Sequence, residues 1–374
     1  MQWVLQRDSK ERITDLNAMI TLAAEDCVKV GDFLYFIAKN YNFIFKLGLT
    51  SGDISIIDSI PEERVLSKRL GAKIINCGTY LFFAPMNAHK IWRYDLENNE
   101  WKGYAIKESA EFGETDKFFQ AVKYKEKIFF LGSNYPSIVV FDLNTDNIEY
   151  IKEPYLDRAA IAKEKKDSFF RTDYAQVDNK LYRASCLTNE VLQFDLDNYD
   201  FQYIKIGAKG FRYSGIDFDG QYFYLAPRVN TPAVMWDGKE KIEEVPLPYT
   251  GDKNSYIWGG VTCKEDEVEY YACFDNNSVI VDKRGNTTVK KVKYFFNKRI
   301  CIDGYVSLDS EGNLQVDIDG KKYQHDLKVE KGYVLDYIGK EMKRRGELDA
   351  LLNGERVYKE NRTINLELLL KVLA

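Results

Sequence analysis

One phrase recurs along this chain and limits what it can fold into. "IWRYDLENNEW" (91–101), "IVVFDLNTDNIEYI" (138–151) and "VLQFDLDNYDFQYI" (191–204) each run from an apolar stretch through an aromatic-Asp-Leu step into a polar turn. A second stretch holding an aromatic residue follows each turn. Different residues fill the same roles, as expected of a structural repeat and not of a catalytic signature. Aligning the residue at or just before the acidic step gives Leu47, Tyr94, Phe141, Phe194, Trp236, Val281 and Val316, at intervals of 47, 47, 53, 42, 45 and 35 residues. A fixed period of this length marks one supersecondary unit copied along the chain.

Within each interval three short apolar or alternating runs recur, as in "YLFFAP", "KIWRYDL" and "WKGYAIK", and a fourth usually precedes them ("CVKV", "AKIIN", "QAVKY", "YAQV", "YSGIDF"). Four short strands per repeat, joined by polar turns, bury their faces against neighbouring copies and leave only short edges when arranged radially. The sequence therefore predicts an all-β fold, a β-propeller of four-stranded blades with a C-terminal helical tail. The anchors give seven blades; six blades plus an accessory hairpin is the alternative, because the last interval is short. Residues 1–25 form an N-terminal segment in which "AMITLAA" is a candidate ring-closing strand, 26–328 the propeller, and 329–374 the tail. The Tyr or Phe of each "YDL" or "FDL" is expected between blades, and the Asp with its Asn-rich turn is expected to reverse the chain.

The stretch "YDLENNEW" resembles the kelch repeat, whose blades carry an aromatic-Asp at the third strand and a tryptophan a few residues later. "FDLNTDNIEY" and "FDLDNYDFQY" are similar, with Tyr for Trp. The resemblance spans residues 26–328 and implies a propeller used for binding. Of the paired glycines such repeats carry after the second strand, only Gly132 stands in place, and Gly259-Gly260 lies elsewhere.

In the tail, "YVLDYIGKEMKRRGELDALLNGERVY" and "NLELLLKVLA" space apolar residues helically, with Asn365 as a candidate cap. Leu366, Leu369, Leu370 and Leu373 form a stripe that needs cover. Its own propeller is the expected cover, and a homo-oligomer or partner contact the alternative.

Composition excludes several function classes. A net charge of −5 argues against sequence-independent nucleic-acid binding. No run approaches the roughly 20 apolar residues of a membrane helix, and the first residues lack a signal-like core, so a cytoplasmic location and no membrane contact are expected. Six scattered cysteines without a CxxC pair, and only His89 and His325, predict neither a metal site nor a cofactor. "DFDG" and "DIDG" lack the ligand series of a calcium loop and read as hairpin turns.

Propellers bind ligands where first-strand starts and second-to-third-strand loops meet, an expectation from fold alone. That level carries Lys39, Lys73, His89, Arg171, Tyr174, Arg212, Arg228, Asn230 and Trp258. Converging Lys and Arg would take a carboxylate or phosphate, with Tyr or Trp as a stacking face. Asn40, Asn87, Asn134, Asn189, Asn230 and Asn276 follow the second strands. They read first as turn formers, and as a ring of amides would suit a glycan. The expectation is a non-catalytic kelch-like propeller whose top face binds an anionic or glycan-like small molecule or a protein partner. The alternative is a propeller enzyme, a glycan hydrolase or lyase with its site in the central channel. No catalytic residue can be named from spacing, because facing carboxylates would come from different blades.

Overall fold

A computed structural model describes residues 16–107, 115–171, 173–240, 242–248, 258–263, 266–272, 277–282, 285–291, 306–308, 314–318 and 321–352. The leucine stripe of 366–373, Asn276, Cys273 and Cys301 lie outside them. Six four-stranded antiparallel sheets follow one another in simple meander order, and a seventh sheet shows three strands among the described residues. These are the blades of a β-propeller. Blades one to six begin at the strands Ala24–Val30, Gly71–Cys77, Phe118–Tyr124, Ala175–Val177, Tyr213–Phe218 and Trp258–Cys263. The three-stranded sheet is Val306–Leu308, Leu314–Ile318 and Lys321–His325.

The repeated phrase has a direct physical reading. At the ends of the third strands Asp95, Asp142 and Asp195 each turn Oδ1 back onto the turn. Asp95 accepts from the N–H groups of Glu97 and Asn98, Asp142 from those of Asn144 and Thr145, and Asp195 from those of Asp197 and Asn198. Four residues after each Asp the backbone enters the left-handed region, at Asn99, Asp146 and Tyr199. The side chain thus substitutes for the missing backbone partners of a tight reversal.

The aromatic before Asp142, Asp195 and Asp237 is buried against the preceding blade, and Tyr94, before Asp95, packs on Trp101 of its own blade. Phe141 lies 5.1 Å from Phe82 and 4.7 Å from Tyr104, and Phe194 lies 6.4 Å from Phe129. Trp236 lies 6.3 Å from Tyr182. Each such ring contributes about 1.5–3 kcal/mol by burial, so the phrase joins blades as well as turning the chain. A polar clamp reinforces this at the rim: Lys102 Nζ and Tyr104 Oη of blade two donate to Asp146 of blade three at 2.6 and 3.0 Å.

Contacts divide the chain into two units. The larger holds blades two to six. The other holds blade one, the three-stranded sheet and the described tail helices, Lys331–Arg344 and Glu347–Leu352. In that unit Met19–Thr21, within the predicted closing strand, pairs with Lys328–Glu330 as a separate two-stranded sheet leading into the first tail helix. Val334, Ile338 and Met342 of that helix share a core with Phe43, Leu47 and Leu22, so this part of the tail packs on blade one.

A polar seam beside this core predicts an acid response. Glu341 accepts from Ser59 Oγ at 2.8 Å, Arg344 Nη2 at 2.7 Å and Arg345 Nε at 3.2 Å. The bond from Arg344, with Ser59 and Arg345 behind it, holds the Glu341 carboxyl down at about 2. A folded value below the unfolded one, about 4.3, gives stability that is complete above 4.3 and lost as pH falls towards 2. Glu341→Gln should therefore lose less stability than wild type between pH 5 and pH 2 in denaturant titrations. Equal losses would show that the seam does not couple protonation to folding.

Candidate functional site

The candidate site lies in the larger unit, at the end where first strands start and second strands finish. Register fixes that end: Gly71 pairs with Pro85, Phe118 with Gly132, and Tyr213 with Pro227. One residue into the first strand the register slips in each of these three sheets. Such bulges bend a strand and re-aim its side chains.

Arg212 and Arg228 flank the Tyr213–Pro227 pair, and the Arg228 N–H donates to the Arg212 carbonyl at 2.7 Å. Arg171 comes from the connection between blades three and four, where Phe170 forms an isolated bridge with Ser185. The Ser185 carbonyl in turn accepts from the Tyr213 N–H at 2.9 Å. Chain geometry alone therefore carries Arg171 to the side of Arg212.

One carboxylate organises the cluster. Arg228 donates to Asp167 from Nη2 at 2.7 Å and from Nε at 3.2 Å, a bidentate pair whose two side chains are each 3% exposed. Arg212 Nη1 stands 3.5 Å from the same carboxylate and keeps 19% of its side chain exposed. Arg171 is half-buried, its guanidinium 5.6 Å from the Phe119 ring, and no described carboxylate pairs with it.

Beneath them Arg183 is fully buried. It donates to the carbonyls of Gly132 at 2.7 Å and Arg171 at 3.1 Å, stands 3.4 Å from the Tyr155 hydroxyl, and lies over the Phe170 ring. All these partners are neutral and Nε has none; loss of hydration pulls the Arg183 pKa below its ordinary value. Cys186 registers the convergence. Burial pushes its thiol up to about 11, and Arg228, Asp167, Arg171 and Arg183 all act on it electrostatically.

Other residues named from the sequence are placed differently. Lys73 is buried on the first strand of blade two, and Tyr174 is partly buried against the core of blades three and four. His89 and Asn230 are exposed in their second-to-third-strand loops. Trp258 is 2% exposed and packs 6.5 Å from Tyr270, so it is a core ring and offers no stacking face. Lys39, in the smaller unit, stands 3.8 Å from Glu25. The loop amides are mostly tethers: Asn87 accepts from the Asp116 N–H, while Asn134 and Asn189 donate to the carbonyls of Thr115 and Gly207.

Sequence reading missed Asp167, Arg183 and Asp173. The 53-residue interval, the longest of the series, pointed at the insertion that carries Asp167. Asp173, 5% exposed, accepts from the Val261 N–H at 3.0 Å, and a Cβ on Gly215 or Gly260 would stand 2.1 or 2.4 Å from its Oδ2. Two glycines thus leave room for a carboxylate that ties blades four, five and six together. Among the described residues no group of three His, Cys, Asp or Glu side chains suits a metal, and no helix is long and apolar enough to cross a membrane.

No family model and no curated protein matches the chain. Solved structures do resemble it. Virginiamycin B lyase from Staphylococcus aureus superposes with a TM-score of 0.57 at 12% identity, over 83% of this chain and 96% of that one. A catalytically inactive variant of that enzyme with quinupristin gives 0.54 at 14%, over 82% and 97%. PorZ, a surface component of the type-IX secretion system of Porphyromonas gingivalis, gives 0.50 at 12%, over 82% of this chain and 39% of that one. At these identities the likeness is one of fold, and the fold is the β-propeller.

Proposed function

We propose that this chain is a kelch-like binding propeller that takes an anionic group, carried by a small molecule, a glycan or a protein partner, at the strand-start end of blades three to five. The observation that carries this reading is the sharing of Asp167 by Arg212 and Arg228, with Arg171 following the Phe170 bridge to Ser185, whose carbonyl receives the Tyr213 N–H, in a chain of net charge −5. Like charges brought together at low exposure are unfavourable unless an anion compensates them. Here Asp167 is spent on Arg228, which leaves Arg212 only partly answered and Arg171 without a carboxylate among the described residues. The kelch-like label rests on the Asp-capped turns and inter-blade aromatics of blades two to four.

The enzyme alternative, a glycan hydrolase or lyase, needs catalytic groups facing each other in the central channel, and the lyases this chain is similar to share only its fold. Asp173, the buried carboxylate nearest the strand starts of blade four, already accepts from a backbone N–H and is wedged against glycine. That is a structural use. Binding is the better reading.

Calorimetric titration with a panel of acidic sugars and aryl anions tests it. Arg212→Ala should weaken the best binder by about 1.5–3 kcal/mol, the scale of a hydrogen bond to a charged group, with little loss of stability. Unchanged affinity in Arg212→Ala, or turnover of the bound compound by wild type, would overturn it.

A further inference from the structure

Resting on that reading, we infer that the anion is a phosphomonoester and that the fixed charge of Arg183 selects it over singly charged groups. A singly charged carboxylate or sulfate ester would answer one guanidinium. The described residues leave more than one to answer. Arg171 has no described carboxylate, Arg212 has only a distant share of Asp167, and Arg183 is wholly buried with neutral oxygens as partners. Its charge cannot turn away towards water, because Gly132, Arg171 and Tyr155 hold it from three directions.

Arg183 also donates to the main-chain carbonyl of Arg171, so the buried cation and the presented one are mechanically joined. A group with two charges and three acceptor oxygens answers both partly exposed guanidinium forks and the field behind them. Arginine stays protonated across the working range, whereas a phosphomonoester gains its second charge near pH 6. Affinity should therefore rise through that pH for a phosphoryl ligand and stay flat for a sulfate ester or a carboxylate.

The probes are phenyl phosphate, phenyl sulfate and benzoate, which share one aromatic body, together with inorganic phosphate. They are titrated by calorimetry at constant ionic strength from pH 5 to pH 8. Phenyl phosphate is expected to bind at least tenfold tighter than the other two aryl anions at pH 7.5, to lose most of that advantage at pH 5, and to weaken at least tenfold in Arg171→Gln. Inorganic phosphate binding as tightly would identify the free ion as sufficient; much weaker binding would identify an ester.

Equal affinity for all three aryl anions would overturn the phosphoryl inference and leave the anion site standing. Absence of binding by every anion would overturn both. Because Arg183→Met removes a buried group and can unfold the insertion, its circular dichroism is recorded first. A folded Arg183→Met that still prefers phenyl phosphate tenfold would overturn the role given to Arg183.

Discussion

Replacing Asp167 by Ala is expected to destabilise the protein by about 3–5 kcal/mol, the usual consequence of stranding one member of a buried ion pair. Asp167 and Arg228 are each 3% exposed at the side chain, and their two hydrogen bonds join the connection after blade three to blade five. Without the carboxylate, Arg228 has lost its hydration and that compensation, and Arg212 loses its nearest counter-charge. Urea unfolding of Asp167→Ala and of the double variant Asp167→Ala/Arg228→Met separates the causes. The double variant should recover much of the loss, because removing both charges removes the penalty. A single variant within 1 kcal/mol of wild type would mean that the pair is not buried in solution. Binding should move the opposite way: Asp167→Asn frees a cation and should tighten phenyl phosphate while loosening the fold.

Gly132→Ala is the second large effect. A Cβ there would stand 2.1 Å from the Tyr135 carbonyl oxygen and 2.3 Å from that of Ser137, both main-chain atoms that no side-chain rotation can move aside. The Gly132 carbonyl also receives Arg183 and the Tyr155 hydroxyl. Overpacking against a fixed backbone costs about 3 kcal/mol, the upper part of the usual range, and here it also displaces the partners of a buried cation. Gly132→Ala should therefore lower the thermal midpoint and weaken anion binding together. Gly78→Ala, at a turn glycine with positive φ and open space around it, should cost stability without touching binding. A Gly132→Ala protein as stable as wild type would contradict the tight turn at 132–137.

How much of this was written in the sequence depends on the range of the interaction. The repeat, the aromatic between blades and the Asp turning the chain act within one hairpin or between adjacent copies, so residue pattern was enough to find them. Gly132 stood out because it alone occupies the place where kelch repeats carry glycines after the second strand; its steric cause needed the carbonyls of Tyr135 and Ser137. The arginines were legible as residues at one strand end, because strand order fixes which ends meet. Their counter-charge was not. Asp167 lies in an insertion with no periodic pattern, and Arg183 sits on a second strand, where alternation says only that a side chain points inward. Trp258 shows the converse: a position at the correct level whose ring turns into the core. The pairing of Met19–Thr21 with Lys328–Glu330 joins segments some 300 residues apart, and nothing local marks either strand for the other.

Whether Arg171 and Arg212 receive one anion together is measured by arginine side-chain NMR on the full chain during a phenyl phosphate titration. The Nε–Hε signals of Arg171 and Arg212 should move together and saturate at one ligand per chain. Arg158, which is paired with Glu190 at 2.9 Å and stacked on Tyr203, stays still. Signals of Arg171 and Arg212 that do not move, or that move no more than that of Arg158, would contradict a shared anion site.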